Sequence, residues 1–292
     1  MAYLLGIDVH KYYRNIDPAG AKAAGANFAL IRAGGIDYYG KCFTDDFFER
    51  NAEVFPEYMP IGFWFVFRPN FDPHIQAEYF INLVSDLKFQ VPCQFDVELK
   101  GPVNSQVFGD NLLTAYADLD LAFPGRHICY TRAGFFNAEV ARDPRWAALY
   151  DLWVARYTAQ GKPWGNPGDS TYVVPLDWQT WVFWQWSADY NNRGPEFGVP
   201  PDGDDDIDLD YFNGDLAAFN EYFKINQGLP KIIEVTNNRN ITGKAGPKGV
   251  NEHVIPMGTR LGVIAQDTAA DGSIWYNVGG MWVLASQCKV IE

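Results

Sequence analysis

Val91-Pro-Cys-Gln-Phe-Asp-Val-Glu-Leu99 sets two carboxylates, Asp96 and Glu98, two residues apart inside an apolar run. On a β-strand residues i and i+2 share a face, so Phe95, Val97 and Leu99 point one way and both acids the other, their Cα atoms roughly 6.6 Å apart. Charge is costly in such a place. Two acids crowded into a partly desolvated pocket have their pKa values driven apart, one ionised and one held as the acid, the arrangement that cleavage of a glycosidic bond uses. The bland alternative leaves both at a solvated strand end, or paired with Lys100.

Outward from this stretch, apolar strands alternate with helical segments. Strands are expected at residues 3–9, 27–33, 61–67, 91–98 and 127–131. Helices are expected between them: from about Asp17 to Gly25, from a Thr44 cap to about Phe55, from Asp72-Pro-His to about Leu87, and from Asn104 to Leu121. Further strands at 152–156, 181–186 and about 205–209 bring the candidates to eight. Alternation implies parallel pairing with right-handed crossovers, and eight units point to a closed barrel. An open doubly wound sheet stays possible, although its GxGxxG signature is absent. In a barrel the chemistry sits at the C-terminal ends of the strands. Asp8, Asp96 with Glu98, and an acid of Asp204-Asp-Asp-Ile-Asp-Leu-Asp210 all fall there. The last run superficially resembles a calcium loop, but it lacks the closing Glu of that motif.

Composition narrows the classes. The 292 residues are 48% hydrophobic and 16% aromatic, enough for a large domain and a small one with an ample core. No apolar run is long enough for a membrane span, and the N-terminus lacks the basic flank and apolar core of a signal peptide. Four scattered cysteines without a CxxC pair and four histidines without an HExxH cluster argue against zinc and against a disulfide framework, so no metal or cofactor is expected. The net charge is −13; residues 231–292 hold six Lys/Arg and five Asp/Glu, leaving 17 against 31 for the first 230. Such an acidic body repels nucleic acid phosphates. The break in charge marks a domain boundary, with Gln227-Gly-Leu-Pro230 as the linker between residues 1–226 and 231–292.

Several short motifs in order resemble glycoside hydrolase family 25, the lysozymes (N-acetylmuramidases) of bacteria and phages. They are Gly6-Ile-Asp-Val9, Phe28-Ala-Leu-Ile-Arg32, Gly62-Phe-Trp-Phe65, Phe95-Asp-Val-Glu98, Cys129-Tyr-Thr131, Leu152-Trp-Val-Ala-Arg-Tyr157, Trp184-Gln-Trp-Ser187 and Ile207-Asp-Leu-Asp-Tyr-Phe-Asn-Gly214. The resemblance covers about residues 3 to 214 and implies an irregular TIM-like β/α barrel that hydrolyses the β-1,4 bond between N-acetylmuramic acid and N-acetylglucosamine in peptidoglycan. It also implies roles: Glu98 as general acid, Asp96 as its partner, Asp8 and Asp208 as the remaining acids of the site. Arg32, Trp64, Tyr130, Tyr157 and Trp186 are the candidate substrate-binding residues, each with a plain packing or ion-pair role as the alternative. Two positions depart from the family's habit: His10 stands where Ser is common after the first strand, and Trp64 where Tyr is common.

After a polar helix from Asp215 to about Lys224, short β-rich runs follow at 231–235, 260–265, 274–278 and 281–285. Asn240-Ile-Thr-Gly-Lys-Ala-Gly-Pro and Trp275-Tyr-Asn-Val-Gly-Gly-Met-Trp282 resemble the bacterial Src-homology-3-like domain, a small all-β barrel that implies cell-wall binding; the alternative is a module that only packs on the barrel. The expectation is thus a cell-wall hydrolase, extracellular or phage-released, with peptidoglycan as its partner and no nucleic acid or membrane insertion. A noncatalytic glycan-binding barrel and a hydrolase of another N-acetylated glycan such as chitin remain the alternatives. Stereochemical course, target wall and oligomeric state are not legible.

Overall fold

The computed structural model describes residues 3–157, 174–188, 191–225, 232–236, 241–244, 251–263, 265–268, 272–278 and 282–291. Its first nine strands are β1 (Leu4–Val9), β2 (Ala29–Ile36), β3 (Cys42–Thr44), β4 (Ile61–Val66), β5 (Val91–Asp96), β6 (Ile128–Thr131), β7 (Asp151–Ala155), β8 (Phe183–Ser187) and β9 (Asp208–Phe212). They interleave with α1 (Pro18–Ala23), α2 (Phe48–Val54), α3 (Pro73–Val84), α4 (Ser105–Ala122), α5 (Ala133–Glu139) and α6 (Arg145–Leu149), and α7 (Leu216–Tyr222) follows.

Parallel pairing runs from β1 through β2, β4, β5, β6 and β7 to β8, and β9 closes the ring against both β8 and β1. The expected eight-stranded closed barrel is therefore present, within a mixed α/β fold. Two details differ from the expected pattern. Strand β9 is antiparallel to both neighbours, so Asp208 opens its strand instead of ending it, opposite Asp8 in register. Thr44 does not cap a helix: it ends β3, which pairs antiparallel with β2 outside the ring, and its hydroxyl bonds to that of Tyr79 at 3.0 Å. Asp45 takes over locally, accepting from the Phe47 amide at 3.0 Å.

The other helix starts follow their caps. Asp17 and Asp72 each accept two amide hydrogens ahead of a proline at the first helical position, and Asn104 accepts from Val107 N at 2.9 Å. Alternation along the strands sorts side chains into two apolar bodies. Ile7, Val9, Phe63, Phe65, Phe95 and Val154 face the helices, whereas Leu4, Phe28, Leu30, Trp64, Tyr130, Trp153 and Phe183 fill the barrel interior. A Cβ at Gly6 would overlap the Phe28 ring, so the glycine makes room for that plug.

The C-terminal strands form two small antiparallel sheets. Strands β10 (Ile232–Val235), β13 (Arg260–Gly262) and β17 (Cys288–Val290) make one, in the order β13-β10-β17. Strands β11 (Ile241–Lys244), β12 (Asn251–Ile255), β14 (Ala265–Thr268), β15 (Ile274–Asn277) and β16 (Trp282–Leu284) make the other. Val235, Ile255 and Val283 form their shared core. The expected run 260–265 is two strands in different sheets. The expected linker 227–230, Asn240, the 245–247 end of its motif and residues 279–281 lie outside the described residues. Among the described residues no helix is long and apolar enough to cross a membrane.

Candidate active site

The mouth of the barrel is built by period two. On β1 the inward positions run Leu4, Gly6, Asp8; on β5 they are Gln94 and Asp96; on β9 they are Asp208 and Asp210. Because β9 runs against its neighbours, its first residue reaches the rim where the parallel strands end. Asp8, His10, Arg32, Trp64, Asp96, Glu98, Tyr130, Trp153, Tyr157, Gln185 and Asp208 thereby line one pocket of about 270 Å³. Asp96 ends β5, and Glu98 lies two residues beyond, still on the pocket side. Backbone pairing continues past the strand, with Val97 N donating to Tyr130 O at 2.9 Å and the Thr131 hydroxyl to Val97 O at 2.7 Å. The acid pair is thus fixed at both ends. Lys100 is not its partner; it bonds Glu139 at 2.9 Å, and Arg132 stands 3.9 Å from Glu98.

Burial dominates the electrostatics. It holds the Asp8 carboxyl well above the ordinary range, with Asp208, Asp210 and Asp96 adding repulsion against a lowering bond from Gln185. Asp96 is raised by burial and by Glu98, against the pull of Arg32 and Arg132. Glu98, a third exposed, is raised by burial; Arg132 lowers it and Asp208 raises it. Each charge placed in this cluster makes the next carboxyl harder to ionise. Asp96 Oδ1 is buried with no hydrogen-bond partner among the described residues.

Four binding candidates are positioned by neighbours. Arg32 forms a salt bridge with buried Asp45 at 2.6 Å and lies 5.5 Å from the Trp64 ring centroid, so it is a fixed cation at the rim. Trp64 donates its indole N–H to Leu30 O at 3.3 Å, which leaves the ring to the pocket. Tyr130 and Tyr157 both donate to the Gln185 carbonyl oxygen, the former at 2.8 Å, and the Gln185 amide donates to Asp8. Trp186 is not at the site. It points to the helix side of β8, 4% exposed, and stacks on Tyr211 at 5.2 Å.

Sequence reading passed over Gln185, Trp153 and Asp210. Trp153 donates to Asp210 Oδ1 at 2.7 Å beneath the pocket floor, and Asp210 is fully buried and raised, by burial first and then by Asp208. Inward parity on β7, β8 and β9 was the available signal. Upstream of β9, the acidic loop serves its own backbone: Asp206 accepts from Asn192 N at 2.7 Å and Asp204 from Asp206 N at 3.3 Å. A larger cavity, about 670 Å³, opens at the other end of the barrel. Its acids are tied to arginines, Asp151 to Arg126 at 2.6 Å and Asp177 to Arg142 at 2.8 Å, so among the described residues no free acid pair faces it.

An acid pair and two further carboxylates converging on one barrel mouth suit sugar-bond chemistry. The model of the glycosyl hydrolases family 25 matches residues 7–195, from within the first strand of the barrel to the stretch before the last. The chain belongs to glycosyl hydrolase family 25. Among family relatives, Lysozyme M1 of Streptomyces globisporus is 28% identical over 224 residues, covering 73% of this chain and 68% of the relative. The crystal structure of a bacterial lysozyme from Streptomyces coelicolor superposes with a TM-score of 0.59 at 24% identity over 75% of this chain and 95% of that one. The Clostridium perfringens spore cortex lytic enzyme SleM aligns over 96% of this chain and 95% of its own, with a TM-score of 0.57 and 17% identity. The family 25 barrel thus accounts for residues up to the last barrel strand, and the SleM fold extends into the C-terminal sheets.

Proposed function

We propose that this family 25 chain is a lysozyme, hydrolysing the β-1,4 bond between N-acetylmuramic acid and N-acetylglucosamine of peptidoglycan, with Glu98 as the general acid. The observation that carries the reading is the half-open Glu98 above a buried Asp96 in a pocket lined by four acids and the aromatic rings of Trp64, Tyr130 and Tyr157. Glu98 delivers its proton to the leaving glycosidic oxygen, while Asp96, which Arg32 and Arg132 draw toward its charged form against its burial, stabilises the cationic anomeric centre or orients the substrate's own acetamido group. Burial and the nearby Asp208 favour the protonated form of Glu98, against the pull of Arg132. Arg32, Trp64, Tyr130 and Tyr157 supply stacking and hydrogen bonds to the glycan.

Digestion of purified peptidoglycan followed by mass analysis of the new reducing ends tests this. Reducing N-acetylmuramic acid is expected from the parent chain, and Glu98→Gln is expected to slow its release by about 10²–10⁴-fold with thermal stability retained. Reducing N-acetylglucosamine would instead make the chain a glucosaminidase. Because Glu98 is held above its ordinary value, activity declines as pH rises through that raised value, when the acid form is lost.

We infer further that residues 231–292 form a Src-homology-3-like wall-binding module joined to the catalytic barrel, residues 1–226, by the linker 227–230. Short antiparallel strands in two small sheets around one core support this reading.

A further inference from the structure

His10 follows directly on β1, and the fold gives it company that sequence spacing hides. The imidazole stacks on the Tyr13 ring at 4.2 Å and 24°, which aims Nε2 at Asp208 Oδ2, 3.4 Å away. Asp8 is the register partner of Asp208 across β1 and β9. One donor atom each from Asp8, His10 and Asp208 all lie within 4.8 Å of one another. The side chains of His10 and Asp208 are 16% and 15% exposed, reachable from the pocket but largely out of water. A further oxygen belongs to the same space: Asp96, 6% exposed, lines this pocket with Oδ1 lacking any hydrogen-bond partner among the described residues.

We propose that Asp8, His10 and Asp208 form a divalent-cation site of the zinc class at the barrel mouth, and that an ion bound there blocks hydrolysis. Mixed imidazole and carboxylate donors suit zinc better than calcium or magnesium, which take oxygen sets. Ligands at about 2.0–2.1 Å around a tetrahedral ion stand roughly 3.3 Å apart, which the His10–Asp208 pair already matches. Asp96 lines the same pocket outside this three-donor group. Neighbours brace the donors: the Gln185 amide holds Asp8, and Asp208 N donates to the Tyr13 hydroxyl oxygen at 3.1 Å. A bound ion neutralises the two carboxylates and occupies the pocket that Glu98 and the aromatic rings share, so it stands where the glycan would bind. This blocking effect rests on the lysozyme reading; the binding itself does not.

Isothermal titration calorimetry of the full chain with zinc chloride at neutral pH decides the binding. One ion per chain is expected at this site, with His10→Ser and His10→Asn each weakening it about 10–100-fold and heats at other histidines unchanged. No binding by the parent chain, or equal affinity in both variants, overturns the site. Peptidoglycan release measured with zinc and again after chelation decides the blocking: the parent is inhibited and recovers, whereas His10→Ser resists inhibition relative to its own zinc-free rate. Binding at His10 without inhibition overturns the blocking role. Absence of hydrolysis from every form, metal-free included, refutes the lysozyme reading and leaves the calorimetric result standing.

Discussion

Asp210 is the most deeply held acid of the cluster, fully buried beneath the pocket with one oxygen on the Trp153 indole and the other without a partner among the described residues. Its folded-state pKa lies above the ordinary 3.8, so the native protein binds a proton that the unfolded chain releases sooner. Stability from this group is therefore present at low pH and lost as pH climbs through the raised value. Asp210→Asn is expected to raise stability at pH 7 by about 1–3 kcal/mol and to change little near pH 3.8, the contrast being read from thermal unfolding at the two pH values. Gln185 works in the opposite sense. It joins Asp8 to Tyr130 and Tyr157 through one amide, and Gln185→Leu strips all three polar groups of that shared partner. The expected loss is about 1–3 kcal/mol of stability together with reduced turnover, checked by denaturant titration beside peptidoglycan release.

At the scale of single elements, β8 shows how much was legible. Its inward residues are Phe183 and Gln185, and Trp184 and Trp186 face the helices, as alternation dictates once any one residue is placed. The motif Trp184-Gln-Trp-Ser187 drew attention to its aromatic ring and away from the amide between the tryptophans. Parity along one strand cannot say which face is inside; only pairing with neighbours can. Trp186→Phe is accordingly expected to cost about 0.5–3 kcal/mol in stability while kcat and KM for peptidoglycan stay at parental values. Strand β9 was mistaken for a different reason. Parallel and antiparallel strands share one side-chain period, so direction has to come from the connection. The stretch between Ser187 and Asp208 holds a single 3-10 turn, Gly194–Phe197, and no α-helix among its described residues, so it is no ordinary crossover. Its run of Gly, Pro and Asp was the available warning. The acid pair at the end of β5 was readable because an apolar run rarely carries two charges on one face unless they are put to use. That Asp8 and an acid of the 204–210 run share the mouth was readable from barrel closure; that Asp208 stands directly opposite Asp8 was not, because that register comes from the antiparallel pairing of β1 with β9.

Across the whole molecule the barrel separates its two ends. The mouth carries the acids, and the far end carries the beginning of β1 beside the end of β9, with Leu4 opposite Phe212 and Leu4 N bonded to Gly214 O at 2.8 Å. The C-terminal sheets meet this far end as well: fully buried Asn277 donates to Glu57 O at 3.0 Å, just ahead of β4. Residues 1–225 alone are expected to cut soluble glycan fragments within about 2-fold of the parental rate but to sediment with intact walls about 10²-fold less, because tethering multiplies encounters without altering the mouth. Co-sedimentation and fragment assays on the two chains check this. An antiparallel closing strand thus has an outcome for modularity. It returns the chain to the side away from the catalytic opening, so whatever is appended at residue 225 can be exchanged, or anchored to a solid support, with the cutting edge still turned outward.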